Sequence, residues 1–276
     1  MKGLADRLRW GIPISLIIIG VLVADLQQWT AGYGLVALSF LFGIGACIEA
    51  LTLREGHKSR IWIGCVTFFL ITYNATSEEF PDELQHAVFL LGAPIFLGSL
   101  ITEVLASKRR SLVLEIFLAL LIGTWLALPT QALITLGTTD PLGVHAILFA
   151  LLTVKGADTG AYFVGRNFGR HPLHPTSPKK TLEGLAGGVL AAAVVGFLYA
   201  HLLAAETLPV GQGVFLGILA ALVGQLSDLQ ESAVKRVAGR KDSGNSIPGL
   251  GGLLDMLDSM LLAVPMLLLV RIVLSS

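Results

Sequence analysis

The sequence predicts an all-α fold, a polytopic integral membrane helical bundle of about nine transmembrane helices. Three observations carry that expectation. Hydrophobic residues make up 54% of the 276-residue chain and charged residues only 14%, where a soluble domain carries about 25% charged residues. Apolar runs near the roughly 20 residues that a membrane helix needs recur along the whole chain. Net charge is zero, yet Lys and Arg gather in every second interval between the runs.

The first run, 10–24, follows Lys2, Arg7 and Arg9 and stops at Asp25. It lacks a small-x-small cleavage site and the chain stays apolar afterwards, so it reads as a helix and not a leader. The second, 31–53, ends at Arg54, Lys58 and Arg60. The third, 61–74, is short and is expected to tilt, re-enter or extend into its flanks. It leads to the acidic stretch Glu78, Glu79, Asp82 and Glu83, a solvated outer loop. The fourth, 84–105, ends at Lys108, Arg109 and Arg110, and the fifth, 112–128, precedes Asp140. The sixth, 142–165, runs into Arg166, Arg170, Lys179 and Lys180. The seventh, 184–204, ends at Glu206. The eighth, 210–230, leads to Lys235, Arg236, Arg240 and Lys241, and the ninth is 252–274. Basic loops stay in the cytoplasm. The alternation therefore puts the N-terminus and the charged 231–249 loop inside and the C-terminus outside.

The chain divides by chemistry at about residue 140. The N-terminal transmembrane region, 1–140, holds about five helices and little chemistry. Glu49, Glu103 and Glu115 lie near helix ends on the basic side and are expected to pair locally with Arg54, Lys108 or Arg110. Cys47 and Cys65 have no metal or redox spacing and read as small apolar residues. The C-terminal region, 141–276, carries three charged constellations.

In the first, Lys155 to Arg170, Lys155 and Asp158 are three apart and share a helical face. An ion pair at about 15 Å depth by helical rise should face the bundle interior and serve function. In the second, Lys179 and Lys180 precede a helix that Thr181 can cap, with Glu183 in its first turn. Two ammonium groups near a helix N-terminus suit phosphate. His171 and His174, each followed by Pro, read as loop residues. The third spans Gln225 to Asp258. Asp228 is followed by Glu231 and Ser232, then by Lys235 and Arg236 about one turn on, then by Lys241 and Asp242. A turn containing Gly251 and Gly252 leads to Asp255 and Asp258, again three apart. Asp228, Asp255 and Asp258 from two helices can hold a hard cation such as Mg²⁺. Nearby Lys and Arg can neutralise charge on a pyrophosphate leaving group, and the glycines can let backbone approach a phosphate. This combination points to phosphoryl or nucleotidyl transfer.

At these residues the chain resembles the phosphatidate cytidylyltransferase (CDP-diacylglycerol synthase) family. Its C-terminal pattern runs S-x-x-K-R, K-D-x-G, a Gly-Gly turn and D-x-x-D. Here it is met by Ser232, Lys235, Arg236, Lys241, Asp242, Gly244, Ile247, Pro248, Gly251, Gly252, Asp255 and Asp258. Asp158 to Tyr162, the SPKKTLEG stretch and Asp228 are similar to the family too. The chain departs from the pattern at Leu250, where the family has His, and at Met256, where it has Arg. The resemblance implies cytidylyl transfer from CTP to phosphatidate. It implies catalytic roles for Asp228, Lys235, Arg236, Asp255 and Asp258, with Asp228, Asp255 and Asp258 holding Mg²⁺. It further implies substrate contacts from Lys155, Asp158, Lys179, Lys180, Ser232, Lys241, Asp242, Gly251 and Gly252. A second cation such as K⁺, a homodimer and the bacterial plasma (inner) membrane are also implied; no nucleic-acid partner is expected. Two alternatives stay open: a CTP-dependent transferase using a polyprenol or ether lipid, and a cation-coupled transporter. A transporter often shows two similar halves with interrupted helices, whereas this chain's chemistry lies in one half.

Overall fold

The computed structural model describes residues 2–27, 33–53, 61, 63–68, 97, 101, 112–139, 141–174, 177–244, 246–247 and 251–275. Most of the expected spans 61–74 and 84–105, the acidic loop 78–83, Glu103, Asp140, Pro248 and Leu250 lie outside these residues.

The regular elements of the described chain are helices and one small hairpin. Its elements are α1 (Lys2–Leu26), α2 (Tyr33–Thr52), α3 (Leu112–Thr139), α4 (Pro141–Phe168), β1 (Pro172–His174), β2 (Ser177–Thr181), α5 (Leu182–Leu202), α6 (Val210–Val237), α7 (Leu253–Leu257) and α8 (Met260–Ser275). Among the described residues, five helices are long and apolar enough to cross a membrane: 33–52, 113–137, 143–168, 182–202 and 210–237. The all-α polytopic architecture is therefore present.

Three local differences from the sequence reading have physical causes. The fifth span continues through Pro129 to Thr139 as one helix. Leu128, Ala132 and Leu136, on both sides of that proline, are buried in one cluster with Leu22, Leu35, Val144 and Val264. Packing against neighbours holds the turn that a missing N–H would weaken. The segment 171–181, expected as a loop, forms an antiparallel hairpin pairing Pro172 with Thr181 and His174 with Ser177. The ninth span is not one helix but α7 and α8, broken at Asp258 and Ser259. There the Ser259 N–H donates to the Asp258 carboxylate and the Ser227 hydroxyl donates to the Asp258 carbonyl. Local side-chain bonds of this kind compete with the helical ladder.

The helices that frame the site pack closely through small residues. A Cβ on Gly160 of α4 would lie 2.7 Å from the Gly187 carbonyl of α5, and one on Gly217 of α6 would lie 2.5 Å from the Ala192 carbonyl. Small residues let membrane helices approach to backbone contact. Thr181 caps α5, its hydroxyl accepting from the Gly184 N–H at 3.1 Å. Glu183 in the first turn accepts from the Arg170 N–H at 3.0 Å and the His171 N–H at 3.2 Å. These bonds fix the hairpin over the ends of α4 and α5, and so fix where Lys180 points. On the other side, Trp125, Phe68, Leu51 and Leu254 form a fully buried core that seats α7 against α2 and α3.

Candidate functional site

One face of α6 supplies the centre of the site. Gln225, Asp228, Glu231, Ser232 and Lys235 recur at helical spacing and share that face. Glu231 is wholly buried, and Lys235 and Ser232 are buried with it. Lys235 Nζ lies 2.7 Å from Glu231 Oε2 and 2.6 Å from Asp255 Oδ1. It thus bridges α6 to α7. Asp255 also accepts from the Gly252 N–H at 2.9 Å and the Ser243 N–H at 3.0 Å. Its four lone-pair directions are largely spent on Lys235 and on these two amides.

Asp258 enters from the break between α7 and α8. One carboxylate oxygen each from Asp228, Glu231 and Asp258 lie within 4.8 Å of one another. The sequence reading put Asp255 in this trio. Among the described residues, the group with metal-holding geometry contains Glu231 instead, because Asp255 is turned to Lys235 and the loop amides. The trio suits a hard cation on its own merits. It offers oxygen donors only, and Glu231 Oε1 is buried with no hydrogen-bond partner among the described residues. An unsatisfied buried carboxylate oxygen is costly unless something cationic completes it.

Three ammonium groups surround the carboxylates. Lys180, brought in by β2, is ion-paired with Asp228 and donates to Gln225 Oε1 at 2.9 Å. Lys235 stands on the α7 side. Lys155 on α4 donates to Asp158 Oδ2 at 3.2 Å and to Ser259 Oγ at 3.2 Å, next to Asp258. The Lys155–Asp158 pair is not enclosed in the bundle as the sequence reading expected. Its side chains are 46% and 36% exposed, because α4 presents this face at the edge of the site. Ser232 donates to Asp228 Oδ1 at 3.4 Å.

Other expected residues sit further out. Lys179, Lys241 and Asp242 are exposed. Arg236 is exposed as well and donates to the Arg240 carbonyl at 3.3 Å, closing the end of α6. Gly251 has φ +97°, a conformation glycine adopts freely, and pairs with Ile247 through N–O bonds of 3.0 and 3.1 Å. The open sides of Gly251 and Gly252 face carboxylates: a Cβ on Gly251 would lie 2.8 Å from Asp255 Oδ2, and one on Gly252 would overlap Glu49 Oε2 and Ser243 Oγ. The sequence alone assigns no site role to Glu231, Gln225, Ser243 or Glu49, and Glu49 meets Ser243 and Leu254 instead of a local basic partner among the described residues. Glu231 was detectable, being three after Asp228 and four before Lys235 on one face. Glu49 was not: it meets Ser243 and Leu254 from about 200 positions upstream.

Comparison with known proteins places the chain among cytidylyltransferases. The chain is 42% identical over 129 residues to the phosphatidate cytidylyltransferase of Bacillus subtilis (strain 168), covering 46% of this chain and 48% of that protein. It is 43% identical over 126 residues to the protein of that name from Staphylococcus saprophyticus, covering 45% of this chain and 48% of the relative. With the one from Staphylococcus aureus (strain COL) it is 41% identical over 128 residues, at 45% and 48% coverage. The matched stretch thus spans about half the length of these curated relatives. A wider match, over residues 7–274, is to the family described as the cytidylyltransferase family. Spanning both the helical scaffold and the charged face of α6, it shows that the chain belongs to the cytidylyltransferase family.

Proposed function

We propose that this protein transfers the cytidylyl group of CTP to phosphatidate, giving CDP-diacylglycerol and pyrophosphate. The observation that carries the reading is the cluster of Asp228, Glu231 and Asp258, ringed by Lys155, Lys180 and Lys235. Family membership and the names of the relatives support it. A phosphatidate phosphate oxygen attacks the α-phosphorus of CTP, the bond from that phosphorus to the bridging oxygen breaks, and pyrophosphate leaves. The nucleophile is already anionic, so no strong general base is required.

Asp228, Glu231 and Asp258 would hold a divalent cation such as Mg²⁺, whose chemistry when bound is to neutralise phosphate charge and polarise the phosphoryl group. Asp255 serves the site by holding Lys235. The lysines, fixed in advance by their carboxylate partners, stabilise charge that grows on the pyrophosphate. Lys179, Arg236, Lys241 and Asp242, exposed at the same end of the helices, contact the nucleotide as it enters. Gly251 and Gly252 shape the loop. In this reading a second cation such as K⁺ and a homodimer accompany the activity. The lipid reaches the site sideways between helices and keeps its tails in hydrocarbon. The region 141–276 carries the chemistry, and 1–140 supports it.

Purified protein supplied with radiolabelled CTP, phosphatidate and Mg²⁺ is expected to form a labelled lipid, and to form none when any one is left out or EDTA is in excess. Turnover unchanged by EDTA would remove the metal role. Met256, where the family pattern that this chain resembles has Arg, favours testing a polyprenol and an ether lipid in parallel. Label in one of those and not in phosphatidate would reassign the acceptor.

The site is proposed to face the cytoplasm of a bacterial cell, with the N-terminus on the same side. In a background lacking Cys47 and Cys65, Gly239→Cys should be shielded from an impermeant thiol reagent in intact cells and Ser77→Cys should react. The opposite pattern would invert the topology.

A further inference from the structure

We infer that Glu49 on α2 is a positioning residue for the transfer site, holding Ser243, Ser246 and the start of α7 so that Asp255 meets Lys235. The inference rests on the cytidylyl-transfer reading. Glu49 is buried, at 7% exposure. Its Oε2 accepts from Ser243 Oγ at 2.9 Å and from the Leu254 N–H at 3.0 Å. Its Oε1 accepts from Ser246 Oγ. These three donors are neutral. Burying a carboxylate among neutral donors is costly unless each bond is well made. Two glycines give it room: a Cβ on Gly252 would overlap Glu49 Oε2, and one on Gly244 would lie 2.9 Å from Glu49 Oε1.

The connection to chemistry is short. Ser243 gives its hydroxyl to Glu49 and its N–H to Asp255. Leu254, whose N–H meets the same Glu49 oxygen, is the neighbour of Asp255. Asp255 in turn holds Lys235 at 2.6 Å, and Lys235 holds Glu231 at 2.7 Å. A helix from the N-terminal half therefore sets, through two hydrogen bonds and two ion pairs, the place of an ammonium beside the carboxylate trio. Glu49 touches no substrate in this scheme. Its loss should lower kcat and leave KM nearly alone, since a misplacement of about 1 Å at a distance from the chemistry costs up to about 10²-fold.

The test compares Glu49→Ala and Glu49→Gln in purified full-length protein. Glu49→Ala is expected to lower kcat by roughly 10- to 100-fold, with KM for CTP and for phosphatidate within about threefold of wild type. Glu49→Gln should recover most of the rate. Its carbonyl oxygen can accept from Leu254 and Ser243, and its amide can donate to Ser246 Oγ. Trypsin should cut after Arg240 and Lys241 faster in Glu49→Ala than in wild type. A folded Glu49→Ala protein with wild-type kcat and unchanged trypsin protection overturns the inference. So does a Gln variant as impaired as the Ala variant. If Glu49→Ala does not fold, Ser243→Ala decides, because it deletes one hydroxyl and keeps the N–H to Asp255. A several-fold fall in kcat at constant KM is expected, and an unchanged kcat overturns the inference. Should wild-type protein make no labelled lipid at all, the transfer reading fails, and the trypsin comparison still decides whether Glu49 holds the loop.

Discussion

Replacing Glu231 with Gln is expected to lower lipid cytidylylation by on the order of 10²-fold or more, by analogy with the loss of one strong transition-state contact. Glu231 is fully buried, and its Oε1 has no hydrogen-bond partner among the described residues. Gln keeps the size and one oxygen, but it removes the charge and can turn an amide toward a cation. Asp228→Asn and Asp258→Asn should act in the same way, since their oxygens lie with that of Glu231 inside 4.8 Å. All three should raise the Mg²⁺ concentration needed for half the maximal rate. Asp255→Asn should lower the rate without moving that requirement, because the Asp255 oxygens face Lys235 and the Ser243 and Gly252 amides. The proteins should remain folded, as neutralising a carboxylate within the membrane lowers its desolvation cost. Glu206→Gln, on an exposed turn between α5 and α6, is the control and should match wild type. If Glu231→Gln and Asp258→Asn stay folded and keep near-full activity across a Mg²⁺ titration, this trio is not a metal site.

Lys235→Met is expected to damage stability as well as rate. The lysine is 8% exposed and lies within 2.7 Å of two carboxylates. Removing it leaves the buried Glu231 and the half-buried Asp255 beside each other's charge without a shared cation. Breaking a buried pair from one side costs about 3–5 kcal/mol. Thermal unfolding in detergent should show a clearly lowered midpoint. The double variant Lys235→Met with Asp255→Asn should be less destabilised than the sum of its parts, since the two residues share one contact. Lys235→Arg should recover some stability but little rate, because a planar guanidinium cannot occupy the position of a compact ammonium between two carboxylates. An unchanged midpoint for Lys235→Met would mean that the two carboxylates find other partners and that the lysine does not organise this side of the site.

Glu231 and Asp255 show what can be read along one helix and what cannot. The stripe from Gln225 to Lys235 is a periodicity of three and four, and its chemistry lies open in the sequence. Which of the four carboxylates joins the trio is a different kind of question. Asp255 and Asp258 are three apart and would share a face on an unbroken helix. The structure breaks that helix at Asp258, and the two side chains then meet different neighbours: Asp255 the loop and Lys235, Asp258 the face of α6. The hairpin at 172–181 is a similar case. Its prolines argue for a loop, yet Glu183 and the cap at Thr181 fix both its ends.

The sequence by itself determined the membrane-helical class, the placing of the apolar runs, the charged face of α6 and the family resemblance. Each follows from composition or from spacing within about two helical turns, where neighbours in sequence are neighbours in space. The tertiary structure alone decided that Lys180 meets Asp228, that Glu231 lies with Asp228 and Asp258 while Asp255 meets Lys235, and that Glu49 grips Ser243 and Leu254 about 200 residues away. Those pairings depend on how closely the helices pack and where the last one breaks. A carboxylate takes whichever cation or amide the packed bundle brings within hydrogen-bond reach, and no local pattern encodes that distance.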